Sequence, residues 1–367
     1  MMTDWNRKIT ILGLGLMGGS LGSALVRKGY TVSGWDREPD AVAEAYRIGA
    51  INHLPHDLNS AMEDAGVVFV ATPVTSIAKV IAECRSIAMP GTIFTDLGSI
   101  KEQVIREVRQ VLPEACYFVP GHPMTGSEKN GIAGADPFLF ENAAYILIED
   151  PSNPAEVFET VKSLVKATGA HVMTLTAGEH DRIVATVSHL PHLVAAVLAK
   201  AAGMAEEAHP GTLALAAGGF RDTTRIAMGS PELWEDIIRG NRVKILEALD
   251  LFRHELQLMQ EILESDDAEG LRSFLTRARE TRLQIPAKNK GFLTLLHEMV
   301  VTIEDRPGAI EEVLRFLSRE SINIKDIEIL RVREGEGGTL KLSLEDNQAV
   351  DKAVKVLAAH GFKAWRR

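Results

Sequence analysis

Short apolar runs alternate with helically spaced apolar positions through the first half of the chain, the pattern of a repeated βα unit. Lys8-Ile9-Thr10-Ile11-Leu12-Gly13 reads as a strand, and Leu21, Ala24, Leu25 and Lys28 continue from it with helical spacing up to Gly29. Thr31 to Trp35 predicts a second strand, Val67 to Ala71 a third, Val74 to Met89 a helix, and Thr92 to Thr95 a fourth strand. Tyr117-Phe118-Val119 is a further short run, and strands over Ala143 to Ile148 and His171 to Leu175 flank a helix from about Pro154 to Thr168. Units of this kind build a mostly parallel, doubly wound sheet over residues 1–176.

From Ala177 to about Leu283 the period is helical throughout, so residues 177–285 form an all-α region whose last helices, Pro231 to Glu264 and Ala268 to Leu283, are long and leucine-rich. The polar, breaker-containing stretch 286–291 reads as a linker. Residues 292–367 then run strand, helix, strand, glycine-rich hairpin loop, strand, helix, strand, a βαββαβ order that makes a small ferredoxin-like α+β domain.

The turn after the first strand gives the front half its character. Gly13-Leu14-Gly15-Leu16-Met17-Gly18 places glycines where a tight turn, a close approach of backbone amides to a pyrophosphate and close helix packing each need one. That makes the fold Rossmann-type and marks Gly13, Gly15, Leu16, Met17 and Gly18 as cofactor contacts. Asp36 ends the second strand about twenty residues further on, where a carboxylate accepts from ribose hydroxyls and repels a 2'-phosphate, so NAD is preferred over NADP. Arg37, next to it, is the minor route to NADP. Ligands on such sheets bind beyond the carboxyl ends of the strands, which is where Thr72, Pro73, Asp96, Gly98 and Ser99 lie. Ser99 also suits the cap of the following helix.

Composition narrows the partners. The 367 residues are 46% hydrophobic and 25% charged, as in a globular protein, and a net charge of -10 argues against nucleic acid or an anionic membrane. Cys84 and Cys116 show no metal-ligand spacing and are expected as buried free thiols in a reducing compartment. No uninterrupted apolar run approaches the roughly 18 residues of a membrane span, so a cytoplasmic protein without a metal is expected.

Three polar stretches carry the candidate chemistry. Gly121-His122-Pro123-Met124-Thr125-Gly126-Ser127-Glu128-Lys129-Asn130-Gly131 sets a histidine, a hydroxyl and a carboxylate among turn formers and reads as a catalytic loop. Ser188-His189-Leu190-Pro191-His192 lies in an otherwise apolar helix that Pro191 should kink, with its histidines three apart on one face. Gly218-Gly219-Phe220-Arg221-Asp222-Thr223-Thr224-Arg225 presents two arginines four apart, suited to gripping two carboxylates, with Asp222 placed to orient one of them. Trp234 reads as a packing residue.

Taken together, the glycine turn, Asp96-x-Gly98-Ser99-x-Lys101, the His122 loop, Ser188 to His192 and Gly218 to Arg225 resemble the bacterial prephenate dehydrogenases of tyrosine biosynthesis, with a C-terminal ACT-type regulatory domain. The resemblance implies His122 as the catalytic histidine, with Ser99 nearby. It also implies His192, Gly218, Arg221, Arg225, Ser127 and Glu128 as substrate contacts, Ser127 reaching a neighbouring subunit of a homodimer. Arg221 stands where many relatives carry lysine. The implied reaction is NAD-dependent oxidative decarboxylation of prephenate, with tyrosine as effector at the ACT domain near residues 305–308. Arogenate dehydrogenase is the alternative enzyme, and a non-catalytic NAD-dependent metabolite sensor the alternative of another class.

Overall fold

The computed structural model describes residues 8–126, 131–285, 297–333 and 337–366. The chain divides into two compact units, Met1–Gln284 and Ile285–Arg367.

The first unit begins with β1 (Lys8–Leu12), α1 (Leu16–Arg27), β2 (Val32–Trp35), α2 (Pro39–Arg47), α3 (Leu58–Met62) and β3 (Ala65–Val70). It continues with α4 (Ile77–Glu83), β4 (Ile93–Asp96), α5 (Glu102–Val111) and β5 (Tyr117–Val119). These strands form one parallel sheet in the order β2-β1-β3-β4-β5. Side-chain alternation splits its core in two, because successive residues of a strand face opposite sides. Ile9, Ile11, Val67 and Phe69 pack with Leu21 and Leu25 of α1 on one face, whereas Val68, Val70 and Phe94 pack with Ile77, Ile81, Val104 and Val108 of α4 and α5 on the other. α4 is shorter than the sequence pattern predicts, since residues 74–76 form a separate tight turn before it.

Pro120 ends the parallel sheet. Beyond it β6 (Gly121–Pro123), β7 (Ala144–Ile148), α6 (Ala155–Ala167) and β8 (His171–Leu175) follow. β6 pairs antiparallel with β7 and β7 parallel with β8 in a separate three-stranded sheet. His122, expected in a loop, therefore lies on a strand, opposite Ile146.

Next come α7 (Ala177–Val184), a π-helical turn (Ala185–His189), α8 (Leu190–Ala208), α9 (Gly218–Thr224), α10 (Pro231–Gly240), α11 (Arg242–Glu264) and α12 (Ala268–Gln284). The expected kink at Pro191 takes the form of that π turn. Proline has no N–H to donate and its ring crowds the carbonyl of Val187, and one extra residue in the turn relieves both. The helix predicted over 231–264 breaks at Asn241, whose buried side chain donates to the Asp181 carbonyl at 2.7 Å. Taken as one helix, Ala177–Ala208 is long and apolar enough to cross a membrane, unlike what run length suggests. Its buried His180, Asp181, His189 and His192 line it with the side chains of a polar site.

The second unit contains β9 (His297–Ile303), α13 (Ala309–Arg319), β10 (Ile324–Arg333), β11 (Gly337–Leu344), α14 (Asn347–Ala359) and β12 (Ala364–Arg366). The sheet is antiparallel with order β10-β11-β9-β12. Val313, Leu317, Val350, Ala353 and Leu357 of its two helices pack on Met299, Val301, Leu340 and Leu342. The linker 286–291 lies outside the described residues.

Candidate active site

The chain leaves β1, turns into α1 and β2 on one side, then crosses to β3 on the other, so a crevice opens beyond β1 and β3. Gly13 adopts φ +97° there, and a Cβ on it would stand 2.8 Å from the Ala71 carbonyl oxygen. A Cβ on Gly18 would stand 1.9 Å from the Gly13 carbonyl oxygen, so neither position admits a side chain. Gly15 caps α1 with no side-chain bond to its first amides and open space beside it. That helix end, with partly exposed Leu16 and Met17, fits a pyrophosphate. Asp36 accepts from the Leu14 amide at 2.7 Å and the Glu38 amide at 3.0 Å, which fixes the carboxylate at the adenosine end. Arg37 is ion-paired to Glu83 at 3.0 Å, so the cation that would favour a 2'-phosphate is engaged elsewhere. Thr72 Oγ1, in the same crevice, is buried without a partner and Pro73 beside it is exposed. The site therefore fits a dinucleotide.

His122 stands past the carboxyl end of β5. Its Nδ1 lies 2.8 Å from His180 Nε2, and His180 Nδ1 lies 2.7 Å from Asp181 Oδ1. Asp181 also accepts from the backbone amides of Lys101 and Glu102, both at 2.8 Å. A carboxylate that already takes two amide protons is an acceptor, so His180 must donate from Nδ1 and accept at Nε2. His122 then donates from Nδ1, and its Nε2 is left with a lone pair. Burial pushes the His122 imidazole well below its ordinary range, with His180, Lys101 and His189 adding to the effect. It is a neutral base awaiting a proton.

Sequence reasoning missed His180 and Asp181, because both sit in what reads as an ordinary helix start. The α5 cap, which Ser99 also suited, is not made by its hydroxyl. That role falls to Asp181, a carboxylate from eighty residues away, and Ser99 lies partly buried two residues before the cap position. The Ser99 hydroxyl is thereby released from capping.

His189 is 1% exposed and 3.2 Å from Asn241 through Nδ1, and burial holds it down at about 4. His192 stacks on Trp234 with ring centres 3.6 Å apart and planes 12° from parallel. Its Nδ1 is buried and has no hydrogen-bond partner among the described residues, and desolvation lowers its proton affinity. Trp234 thus packs directly on a predicted site residue. The turn after α9 closes over this stack, since a Cβ on Gly229 would meet Trp234 Nε1 at 2.7 Å and His192 Cε1 at 3.4 Å. Arg225 starts that turn, and Gly218, Arg221 and Asp222 lie on exposed α9. Among the described residues Asp222 forms no ion pair with either arginine. Ser127 and Glu128 lie outside the described residues, as do the neighbouring Lys129 and Asn130. Among the described residues no group of three metal-ligating side chains is found.

A dinucleotide crevice, a neutral relay-held imidazole beside it and a helical region adjoining both define an NAD-dependent dehydrogenase. Residues 21–174 match the family description "Prephenate dehydrogenase, nucleotide-binding domain", residues 176–277 match "Prephenate dehydrogenase, dimerization domain", and residues 297–361 match "ACT domain". The prephenate dehydrogenase of Bacillus subtilis is 35% identical over 98% of this chain and 97% of its own length. Among solved structures, the A. aeolicus prephenate dehydrogenase in complex with hydroxyphenyl propionate and NAD+ aligns with a TM-score of 0.72 at 26% identity, covering 77% of this chain and 99% of that one. The Synechocystis arogenate dehydrogenase aligns with a TM-score of 0.67 at 29% identity, covering 76% and 99%. The chain belongs to the prephenate dehydrogenase family, and its cofactor is NAD.

Proposed function

We propose that the protein oxidises and decarboxylates prephenate to 4-hydroxyphenylpyruvate. Residues 1–176 would hold the cofactor, 177–285 the substrate, and 292–367 an effector. The observation that carries this reading is the His122–His180–Asp181 chain, which leaves His122 Nε2 as an acceptor for the ring hydroxyl proton of the substrate. As that proton moves to His122, the carbinol carbon loses hydride. The bond to the ring carboxylate then breaks, its electron pair enters the ring and carbon dioxide leaves, and the phenolate oxygen so formed takes the proton back from His122 to give the phenol. NAD, when bound along Gly13–Gly18 and Asp36, supplies the hydride acceptor. Protonated His122 is stabilised through His180 by the Asp181 carboxylate. In this reading Ser99 would hydrogen-bond the same hydroxyl, and Arg225, Arg221, His192, Gly218, Ser127 and Glu128 would hold the substrate's carboxylates and side chain.

The family resemblance to an arogenate dehydrogenase keeps arogenate as the second reading, differing by an amine in place of the side-chain ketone. NADH formation by purified protein with prephenate or arogenate, with NAD or NADP, decides between them. No turnover with either substrate would refute the enzyme reading.

The dimerisation-domain match and the exposed Val197, Met204, Leu215, Val243 and Leu251 of the helical region support a homodimer. The ACT match supports amino-acid regulation, with tyrosine as the effector. In the turn before α13, Gly308 is left-handed at φ +88°, and Arg306 is paired with Glu304 at 2.7 Å and Glu312 at 2.8 Å. Tyrosine inhibition that survives deletion of the residues after Pro286 would place the effector at the active site instead.

A further inference from the structure

We infer that Lys101 is a positioning residue of this site: its side chain fixes the strand that bears His122, and its backbone amide fixes the carboxylate at the far end of the His122 relay. The inference rests on His122 as the working base. The Lys101 side chain is 0% exposed, and Nζ donates to the Asp96 carboxylate and, at 2.6 Å, to the Gly121 carbonyl. Asp96 in turn accepts from the amides of Gly98 at 2.9 Å and Gly121 at 3.1 Å. Both backbone groups of Gly121, the residue before His122, are therefore held by one buried ion pair. No larger residue fits there, because a Cβ on Gly121 would lie 2.9 Å from the Asp96 carbonyl oxygen and 2.9 Å from the Tyr145 ring. From the other end of the same residue, the Lys101 amide donates to Asp181 Oδ1 at 2.8 Å.

A staple alone does not require a charge. Burying an ion pair costs desolvation that well-packed apolar side chains would avoid. The ammonium has a second effect that apolar packing cannot supply. Among the described residues the groups facing His122 are His180 on α7, His189 on the π turn and Lys101 ahead of α5, with Asp181 behind His180 and Asp96 on β4. Of these Lys101 is the fixed cation, and it opposes protonation of His122 and of His180. It thus adds to burial and His180 in keeping the imidazole in the form that accepts a proton.

The test is Lys101→Met and the paired Lys101→Met/Asp96→Asn variant, which leaves no unpaired carboxylate in the core. Titration of the His122 ring is followed by NMR in the full chain, the resonance being assigned by its loss in His122→Asn. The acidic limb of kcat/KM for NADH formation is measured alongside. Removing the cation should raise the His122 midpoint, and with it the acidic limb, by about one pH unit, the scale of one nearby charge at an effective dielectric of about 20 to 40. Lys101→Arg should keep the wild-type midpoint. A midpoint in Lys101→Met within about 0.2 unit of wild type would overturn the inference, whatever happened to turnover, and the paired variant, which loses the Asp96 charge as well, should shift by less. Should the wild-type protein form no NADH with prephenate or arogenate, the functional reading fails, and the NMR titration still decides the role of Lys101.

Discussion

His180→Phe isolates the relay from the base it serves. Phenylalanine keeps an aromatic ring there, somewhat larger than imidazole, so no void opens, and Asp181 keeps the Lys101 and Glu102 amides at 2.8 Å and is not left bare. What disappears is the 2.8 Å bond that holds the proton on His122 Nδ1, together with the link from there to the Asp181 carboxylate. A hydrogen bond in a chain ending on a charged group contributes about 1.5 to 3 kcal/mol. Here it stabilises His122 in the right tautomer and, more strongly, the imidazolium formed as the hydroxyl proton arrives. At about 1.4 kcal/mol per decade, kcat should fall roughly 10- to 100-fold. Because His180 touches His122 and not the crevice glycines, the KM values for substrate and NAD should stay within about threefold. Steady-state NADH formation at saturating NAD across pH 6 to 9 measures this. A kcat within threefold of wild type, or a loss expressed wholly in KM, would refute the relay.

Three further expectations follow from the same geometry. His122→Ala should cut kcat by about two to four decades with little change in substrate KM, measured by the same NADH assay. Arg225→Ala should raise substrate KM by roughly 10- to 100-fold, the loss of one charge-assisted contact, and unchanged saturation would remove Arg225 from the site. His189, held down at about 4, takes a proton in the unfolded chain before it does in the fold, so its contribution is present above about pH 6.5 and lost as pH falls toward 4. Urea unfolding should show stability falling by about 2 kcal/mol between pH 7 and 5, an acid loss that His189→Asn should reduce; a flat profile in wild type would contradict the burial argument.

The sheet could be read from the chain because the features that make it are local: β-branched runs, helical spacing and a glycine turn each act within a few residues. The His122 site could be read only in part, because its supporting contacts are not local. His180 and Asp181 follow a Thr176–Glu179 capping box and look like the charged first turn of a surface helix, yet both are buried. A clue did exist in the spacing. His180 and Val184 are four apart on an inward face, and an ideal α-helix would bring Ser188 inward next, but the π turn advances the register by one and buries His189. The break at Asn241 was hidden for a similar reason, since apolar periodicity runs on through it while its amide reaches back to Asp181. Both departures from regular helix occur where a side chain is needed by the His122 cluster, which is where local rules are expected to yield.

The separation of charges across this site also answers a conflict inherent in the proposed reaction. A dianionic substrate needs cations, but cations beside a histidine make it a poorer base. In this chain the arginines proposed to grip the carboxylates stand on exposed α9 and the turn after it, while among the described residues His122 is surrounded by neutral histidines and one lysine that is itself paired to Asp96. Burial and Lys101 hold the empty-site imidazole below its ordinary range, so it is unprotonated whenever substrate arrives. The arriving negative charges then favour the imidazolium, which raises the affinity of Nε2 for a proton at the stage when the hydroxyl must give one up. Depression in the free protein and restoration in the complex are thus two halves of one electrostatic arrangement, with burial, aided by the neighbouring His180 and Lys101, setting the first and the substrate's own carboxylates the second.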